Sequence, residues 1–409
     1  MKFVQVLFLL LFLTACQEDY SEALQQESIP PNVQFTNDFT LELTDSLSIP
    51  LPQGIPNYLG LTDVLSGDSL FYFKYASNKI AKVDIVNARV DSIILPPKIV
   101  TGNILSICVI GKDSILLTQD MPQSLILVKE RKSAKIIYLP KINFTNDNEI
   151  FSKHTAALND REGNFLLDYS SLAYDAKNKL VYLGLQAYDA YSFNGFENSE
   201  RMATFDLATK EWKDIYAAPE GMLKLRADKT YGYLMSQKKM LLKGDTVFAN
   251  YTNDHHIYYY QKGQPLGKFP HVSSQSKKLF LPMDAEAAED VETLKKYTHA
   301  APSYSSFYYH EKLKLYSRLY FDQQEPFDAS GKYKPRNLWR DVYVTFLNEQ
   351  FEHVGEFKFP NGSVPFNGAK PLADGFLLFD VRQKTADQLG LKYVYTIKPV
   401  DHQTSMIYE

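Results

Sequence analysis

Apolar and polar residues alternate with a period of two along most of this chain, in short runs broken by Gly, Asn, Asp and Pro. That is the pattern of half-buried and fully buried β-strands joined by tight turns. Two stretches show the same unit clearly. In the first, Gly67-Asp68-Ser69 leads to Phe71-Tyr72-Phe73, then Ile80 to Val86, a turn at Asn87-Ala88-Arg89, and Val90 to Pro96. In the second, Lys112-Asp113-Ser114 leads to Ile115-Leu116-Leu117, then Leu125 to Lys129, then Lys135 to Pro140. The two openings lie 112 − 67 = 45 residues apart. A four-strand unit repeating every ~40–50 residues predicts the blades of a β-propeller.

Looser copies follow. Leu180 to Leu185 goes with Met202 to Asp206 and Trp212 to Tyr216; Thr246 to Tyr251 with Ile257 to Tyr260 and Leu266 to Phe269. Leu313 to Phe321 goes with Val342 to Leu347 and Val354 to Phe359, and Phe376 to Val381 with Tyr393 to Ile397. An apolar run before each unit supplies its innermost strand: Leu59 to Leu65, Leu105 to Ile110, Ser170 to Tyr174, Tyr231 to Leu242, Ser305 to Tyr309 and Phe366 to Leu372. The sixth unit lacks an outer strand. Phe39 to Pro50 matches the outer strand of the first unit and predicts a closure in which it completes the last sheet, leaving no open inner edge. The fold class expected is all-β: a six-bladed propeller over residues 37–409, closed by an N-terminal outer strand. A seven-bladed ring and an irregular array of sandwiches are the alternatives.

One segment breaks the period. Asp284 to Thr298 places Ala287, Val291, Leu294 and Thr298 on one helical face, with acids early and Lys295-Lys296 late, which suits the helix dipole. It predicts a short helical insertion between the fourth and fifth blades.

Naming the strands of a blade a to d from the axis outward, the a–b and c–d turns are short: Asn87-Ala88-Arg89, Ala208-Thr209-Lys210, His310-Glu311-Lys312 and Asn348-Glu349-Gln350. Long connections fall at Lys141 to Asp168, Gln186 to Ser199, His271 to Tyr304, Asp322 to Trp339 and Arg382 to Leu391, all of b–c or d–a type. Antiparallel geometry puts these on one face of the disc. Loops of such length are uncommon unless they carry function or are disordered, so any ligand is expected there. The ends of the b strands ring that mouth. The candidate ligand-binding residues are Asp120, Gln186, Tyr188, Asn250, Arg318, Tyr320 and Arg382, with Trp339 added from a long loop beside Arg336 and Arg340. Arg318 and Arg382 would act as anion or hydrogen-bonding anchors. The competing reading is that these are ordinary strand ends entering water.

Composition removes several classes. Lys plus Arg number 44 against 48 Asp plus Glu, a net charge of −4, so no basic stripe marks a nucleic-acid partner. Tyr (28) and Phe (26) are plentiful, but sheets use aromatics in cross-strand pairs as readily as sugars stack on them. His255 and His256 are adjacent and, on a strand, point to opposite faces, so they cannot ligate one metal together. No His-Glu-x-x-His, no Cys-x-x-Cys, no Gly-x-Ser-x-Gly elbow, no phosphate loop and no Asp-box occurs. Asp160, Glu162 and Asn164 alternate without completing a calcium loop. No metal site, cofactor or catalytic residue is therefore assigned, and no coiled-coil seam argues against a monomer. Ring geometry could still unite distant carboxylates.

The N-terminus changes the picture again. Met1 and Lys2 precede an apolar run from Phe3 to Leu13 broken only by Gln5, then Leu13-Thr14-Ala15-Cys16. This reads as a secretory signal and is too short to span a bilayer, which takes ~20 apolar residues. Leu-Thr-Ala-Cys resembles the bacterial lipoprotein box. The resemblance implies cleavage after Ala15, lipidation of Cys16 with a diacylglyceryl thioether and acylation of the new amino end, hence membrane attachment through several chains. Residues 1–15 would be the signal and 16–36 a tether. Gln17-Glu18-Asp19 resembles the surface-export signal of Bacteroidetes lipoproteins, and the expected place is the outer membrane. With Cys16 lipidated, Cys108 has no disulfide partner; it lies in the apolar run Ile104 to Ile110 and reads as a small core residue.

Ala301 to Tyr309 and Leu315 to Tyr320 resemble a family of uncharacterised Bacteroidetes lipoproteins, catalogued as a domain of unknown function. Its Tyr-Tyr-Arg-Phe-like strand corresponds to Tyr316-Ser317-Arg318-Leu319, which departs at two positions. The resemblance implies a six-bladed propeller in the cell envelope and carries no catalytic residues. The functional expectation is a binding propeller for a small ligand, glycan, peptide or partner protein. The alternative is a hydrolase or lyase acting on carbohydrate through carboxylates in the channel.

Overall fold

The computed structural model describes residues 33–50, 62–64, 70–84, 87, 89–119, 123–129, 133–140, 166–186, 201–216, 229–230, 238–252, 254–276, 283–288, 290, 293–294, 301–322, 340–360, 369–379 and 389–400. The alternating runs become strands. The first, β1 (Phe39–Pro50), is held over for the last sheet. The first blade is β2 (Thr62–Val64), β3 (Leu70–Ala76), β4 (Lys79–Asp84) and β5 (Arg89–Ile94). The second is β6 (Ile104–Gly111), β7 (Ser114–Gln119), β8 (Ser124–Lys129) and β9 (Ser133–Tyr138). The third is β10 (Leu166–Asp175), β11 (Leu180–Gln186), β12 (Arg201–Asp206) and β13 (Glu211–Tyr216).

A two-residue strand, β14 (Lys229–Thr230), precedes the fourth blade, which is β15 (Lys238–Lys243), β16 (Thr246–Tyr251), β17 (His256–Gln261) and β18 (Gln264–Pro270). After β19 (Met283–Asp284) and the helical turn α1 (Ala285–Ala288) comes the fifth: β20 (Ser303–His310), β21 (Leu315–Phe321), β22 (Val342–Leu347) and β23 (His353–Lys358). The sixth holds β24 (Ala369–Leu372), β25 (Gly375–Phe379) and β26 (Leu389–Pro399), and β1 lies outermost on it. The innermost strands pack in cyclic order, β2 on β6, then β10, β15, β20 and β24, which returns to β2. The molecule is a six-bladed β-propeller, as the repeat predicts.

β1 runs antiparallel to β26 from Phe39 opposite Pro399 to Pro50 opposite Leu389, with a bulge between Leu43 and Asp45. The predicted closure is therefore present. The segment ahead of it is fastened too. Asp38 N–H donates to Val354 O at 2.8 Å, Thr36 Oγ1 donates to His353 O at 2.9 Å, and the Phe35 ring meets His353 edge-on at 4.6 Å.

Each blade is buried on both sides, so the core consists of the seams between blades. Val181, Leu183 and Leu185 of β11 pack with Leu105, Cys108 and Leu116 of the second blade, while the intervening Tyr182 joins Val247, Ala249 and Tyr258 of the fourth. Period-two geometry sends alternate residues to opposite seams. Every large side chain so buried contributes ~1.5–3 kcal/mol.

The helical insertion expected over Asp284 to Thr298 is described in part: α1 and residues 293–294 are helical, with a bend at Asp290, whose carboxylate accepts from Thr293 N–H at 3.0 Å while Leu294 N–H reaches Asp290 O at 2.9 Å. An aspartate in that position caps the turn that follows it. One feature was not expected: β14 and β19, both in long connections, pair into a small ribbon, Lys229 opposite Asp284 and Thr230 opposite Met283, which no periodicity announced.

Candidate functional site on the long-loop face

The a–b and c–d turns of the described blades are tight. Several adopt left-handed backbone: Lys179 (φ 57°), Lys210 (φ 62°), Lys314 (φ 54°) and Phe351 (φ 64°). At the fourth blade Lys262 (φ 47°) and Gly263 (φ 78°) form the two-residue turn whose twist suits a hairpin. The strand ends that bound the long connections 139–165, 187–200, 217–237, 271–302 and 322–341 lie at the opposite face. The ribbon of β14 and β19 joins 217–237 to 271–302, so these two are not independent loops.

Strand ends at this face are polar, and those described are tied down. In the first blade Lys74 Nζ donates to Ile104 O at 3.3 Å. In the second, the Gln119 amide nitrogen donates to Ser124 Oγ at 2.8 Å and its oxygen accepts from Thr101 N–H at 3.2 Å. In the fourth, Asn250 Nδ2 donates to Ser305 O of the next blade's inner strand at 2.9 Å.

Of the residues singled out from sequence, Asn250, Arg318 and Tyr320 meet at the seam between the fourth and fifth blades. Gln186 ends β11, but its side chain, with Asp120, Tyr188, Trp339 and Arg382, lies outside the described residues. Arg318 sits in β21 and is wholly buried. Its Nε donates to Asn250 Oδ1 at 2.9 Å and Nη1 to His271 O at 2.7 Å; Nη2 donates to Tyr251 O at 3.1 Å and Asp254 O at 2.5 Å. The Tyr304 ring covers the guanidinium carbon at 3.5 Å. The fork thus grips strand end, b–c turn and outgoing connection of the neighbouring blade at once. Burial lowers the guanidinium to about 10, still cationic at neutral pH.

Around it lies a polar shell. The Tyr304 hydroxyl and His255 Nδ1 are 2.6 Å apart. Burial, reinforced by the Arg318 charge, pushes His255 down to about 4, so the ring is neutral at pH 7. His271 is held well below its usual range by burial and then by Arg318, and its Nε2–H donates to Thr345 O at 3.3 Å. Tyr320 donates to Asp322 Oδ1 at 3.1 Å, its ring 5.2 Å from that of Tyr304. Two further contacts root the long connections: Arg340 Nη2 donates to Ala301 O at 2.5 Å, and Glu356 accepts from Ser273 Oγ at 2.5 Å and Ser274 N–H at 2.9 Å.

The b–c turn that Arg318 grips carries a second constellation. Asp254 Oδ1 accepts from His256 N–H at 2.8 Å and lies 3.0 Å from His256 Nδ1; Oδ2 accepts from the Tyr258 hydroxyl at 2.5 Å. Burial would raise this carboxyl, but the bonds from His256 and Tyr258 outweigh it and hold it at about 2. Tyr258, two residues after His256 on β17, packs in the seam with the third blade, while His255, just ahead of β17, reaches Tyr304 of the fifth.

Among solved structures, this fold is similar to a member of the DUF4221 family from Bacteroides vulgatus. The TM-score is 0.67 at 14% identity, over 89% of this chain and 100% of that one. It is also similar to an exported protein from Bacteroides fragilis, so described as a prospective assignment, with a TM-score of 0.52 at 12% identity over 88% of this chain and 96% of that one. At such identities the likeness shows the fold alone. No protein-family profile matches the sequence, and no curated protein matches it.

Reading by sequence did not pick out Asp254, Tyr304 or His271 as site residues, and weighed His256 only as a metal ligand. The usable signal was Asp254-His255-His256 directly after Tyr251, where the fourth unit turns from strand b to strand c. Among the described residues no group of three or more His, Cys, Asp or Glu side chains is arranged to hold a metal ion.

Proposed function

We propose that this chain is a lipid-anchored binding propeller of the cell envelope that takes a small ligand, glycan, peptide or partner protein on its long-loop face. The observation that carries the reading is one-sidedness. The tight turns occupy one face, the long connections the other, and β1 starts on the face of tight turns, beside His353 and Val354. A lipid on Cys16 would then turn the plain face toward the bilayer and present the elaborated face outward. The exported protein of Bacteroides fragilis, similar in fold, agrees with an envelope location.

Two measurements test this. Mass spectrometry of the protein recovered from cells is expected to find Cys16 as the lipidated first residue, with Cys16→Ala releasing the chain from membranes. On glycan and peptide arrays, capture is expected for the native chain and lost when 323–338 is replaced by a short Gly-Ser turn. Absence of capture, or capture indifferent to that replacement, would overturn the binding reading.

A further inference from the structure

We infer that residues 35–38, just ahead of the closing strand, form an acid-released latch on the outer edge of the fifth blade, with His353 as its trigger. This goes beyond the binding reading and stands without it. The latch crosses the edge of β23. His353 lies opposite Leu347, which packs toward the fourth blade, whereas the next residue, Val354, packs toward the sixth. The Phe35 ring lies edge-on against the His353 ring, Thr36 Oγ1 donates to His353 O, and Asp38 N–H donates to Val354 O. Asp38 O in turn accepts from Val400 N–H, just past β26, at 2.8 Å. One short segment therefore ties the fifth blade to the sixth.

The cover over the ring is thin. Residues 34–38 are exposed, and Phe35 keeps 43% of its surface in water. His353 is only 6% exposed, and neither of its ring nitrogens has a hydrogen-bond partner among the described residues. The charged groups around it are engaged elsewhere. Asp38 accepts from Thr36 Oγ1, Glu352 from Asn348 Nδ2, Glu349 from Lys243 and Tyr309, and Glu356 from Ser273 and Ser274. The fourth blade brings His271, which burial keeps neutral. An imidazolium in this place would be a buried cation without a counter-charge. Burial accordingly pushes His353 down to about 4, against a weaker upward pull from the Thr36 backbone. Lifting a few exposed residues gives the ring to water, whereas lifting β1 breaks a ladder that runs from Phe39 to Pro50. Protonation is therefore relieved by local opening. With the latch open the ring titrates near ~6.5. The docked state binds fewer protons, so docking is at full strength above that value and weakens as pH falls toward 4.

Amide hydrogen exchange on the intact chain tests this, read at Asp38 N–H as protection relative to an unstructured peptide at the same pH. From pH 7 to 5 that protection is expected to fall ~10-fold, a window above the range in which ordinary carboxylates take up protons. His353→Phe, with folding checked by thermal melting, is expected to keep the latch docked and to flatten the profile. Phe35→Ala changes an exposed side chain, and is expected to lower protection at pH 7 and to flatten the profile too, because the ring is already wet. The amides of β21 and β22 report global opening and are expected to change less than Asp38. Protection at Asp38 that holds from pH 7 to 5, that falls as steeply in His353→Phe, or that falls in step with β21 and β22, overturns the inference. A flat profile beside array capture that depends on 323–338 would remove this inference and leave the binding reading standing.

Discussion

Arg318 shows how one residue can organise a seam. Its four hydrogen bonds go to protein oxygens in three separate segments of the neighbouring blade, and Tyr304 closes its face. Sequence marked it as a polar residue at a strand end. It could not show that the acceptors were three backbone carbonyls and the Asn250 amide oxygen, some fifty to seventy residues earlier. Arg318→Met is expected to destabilise by about 3–5 kcal/mol, because it strands buried acceptors as well as losing the bonds. Arg318→Lys should recover little, since a point charge on a flexible stem cannot reproduce the planar fork. Denaturant unfolding measures both, and a loss below ~1 kcal/mol for the Met variant would contradict the role.

At the scale of elements, closure by β1 depends on a close approach of backbones. A Cβ on Gly355 of β23 would stand 2.3 Å from Phe39 O, so β1 can lie where it does only because residue 355 has no side chain. Gly355→Ala is expected to cost about 1–3 kcal/mol and to raise amide exchange along β1 and β26. Gly111→Ala is the control, as its Cβ would meet nothing nearer than 3.9 Å. Equal effects of the two would refute the close-approach argument. The closing strand was legible because Phe39 to Pro50 repeats the outer-strand pattern. The β14–β19 ribbon was not, since two residues hold no period.

For the whole molecule, the buried histidines set the acid limit. Burial lowers His255, His310 and His353 to about 4, with the Arg318 charge adding to burial at His255. In the unfolded chain each titrates near ~6.5. The unfolded state therefore binds more protons between these values, and stability falls as pH drops through that window. The contribution is fully present above ~6.5, and each histidine withdraws up to about 3 kcal/mol by pH 4. Unfolding midpoints followed from pH 7.5 to 4 should decline steadily; a flat profile would show that these rings are not buried neutral.

The sequence alone determined the blade: strand period, tight turns on one face, six units and the strand that closes them. These are local properties, written in alternation and turn residues, and the two-sided burial of each sheet enforces them. Tertiary structure decided which polar residues face one another. Asn250, His255 and Arg318 meet only because consecutive sheets stack, and Asp254 aligns His256 only because the turn that bears them is clamped from the next blade. Neighbours across a seam are set by the ring's geometry, and no spacing along the chain encodes it.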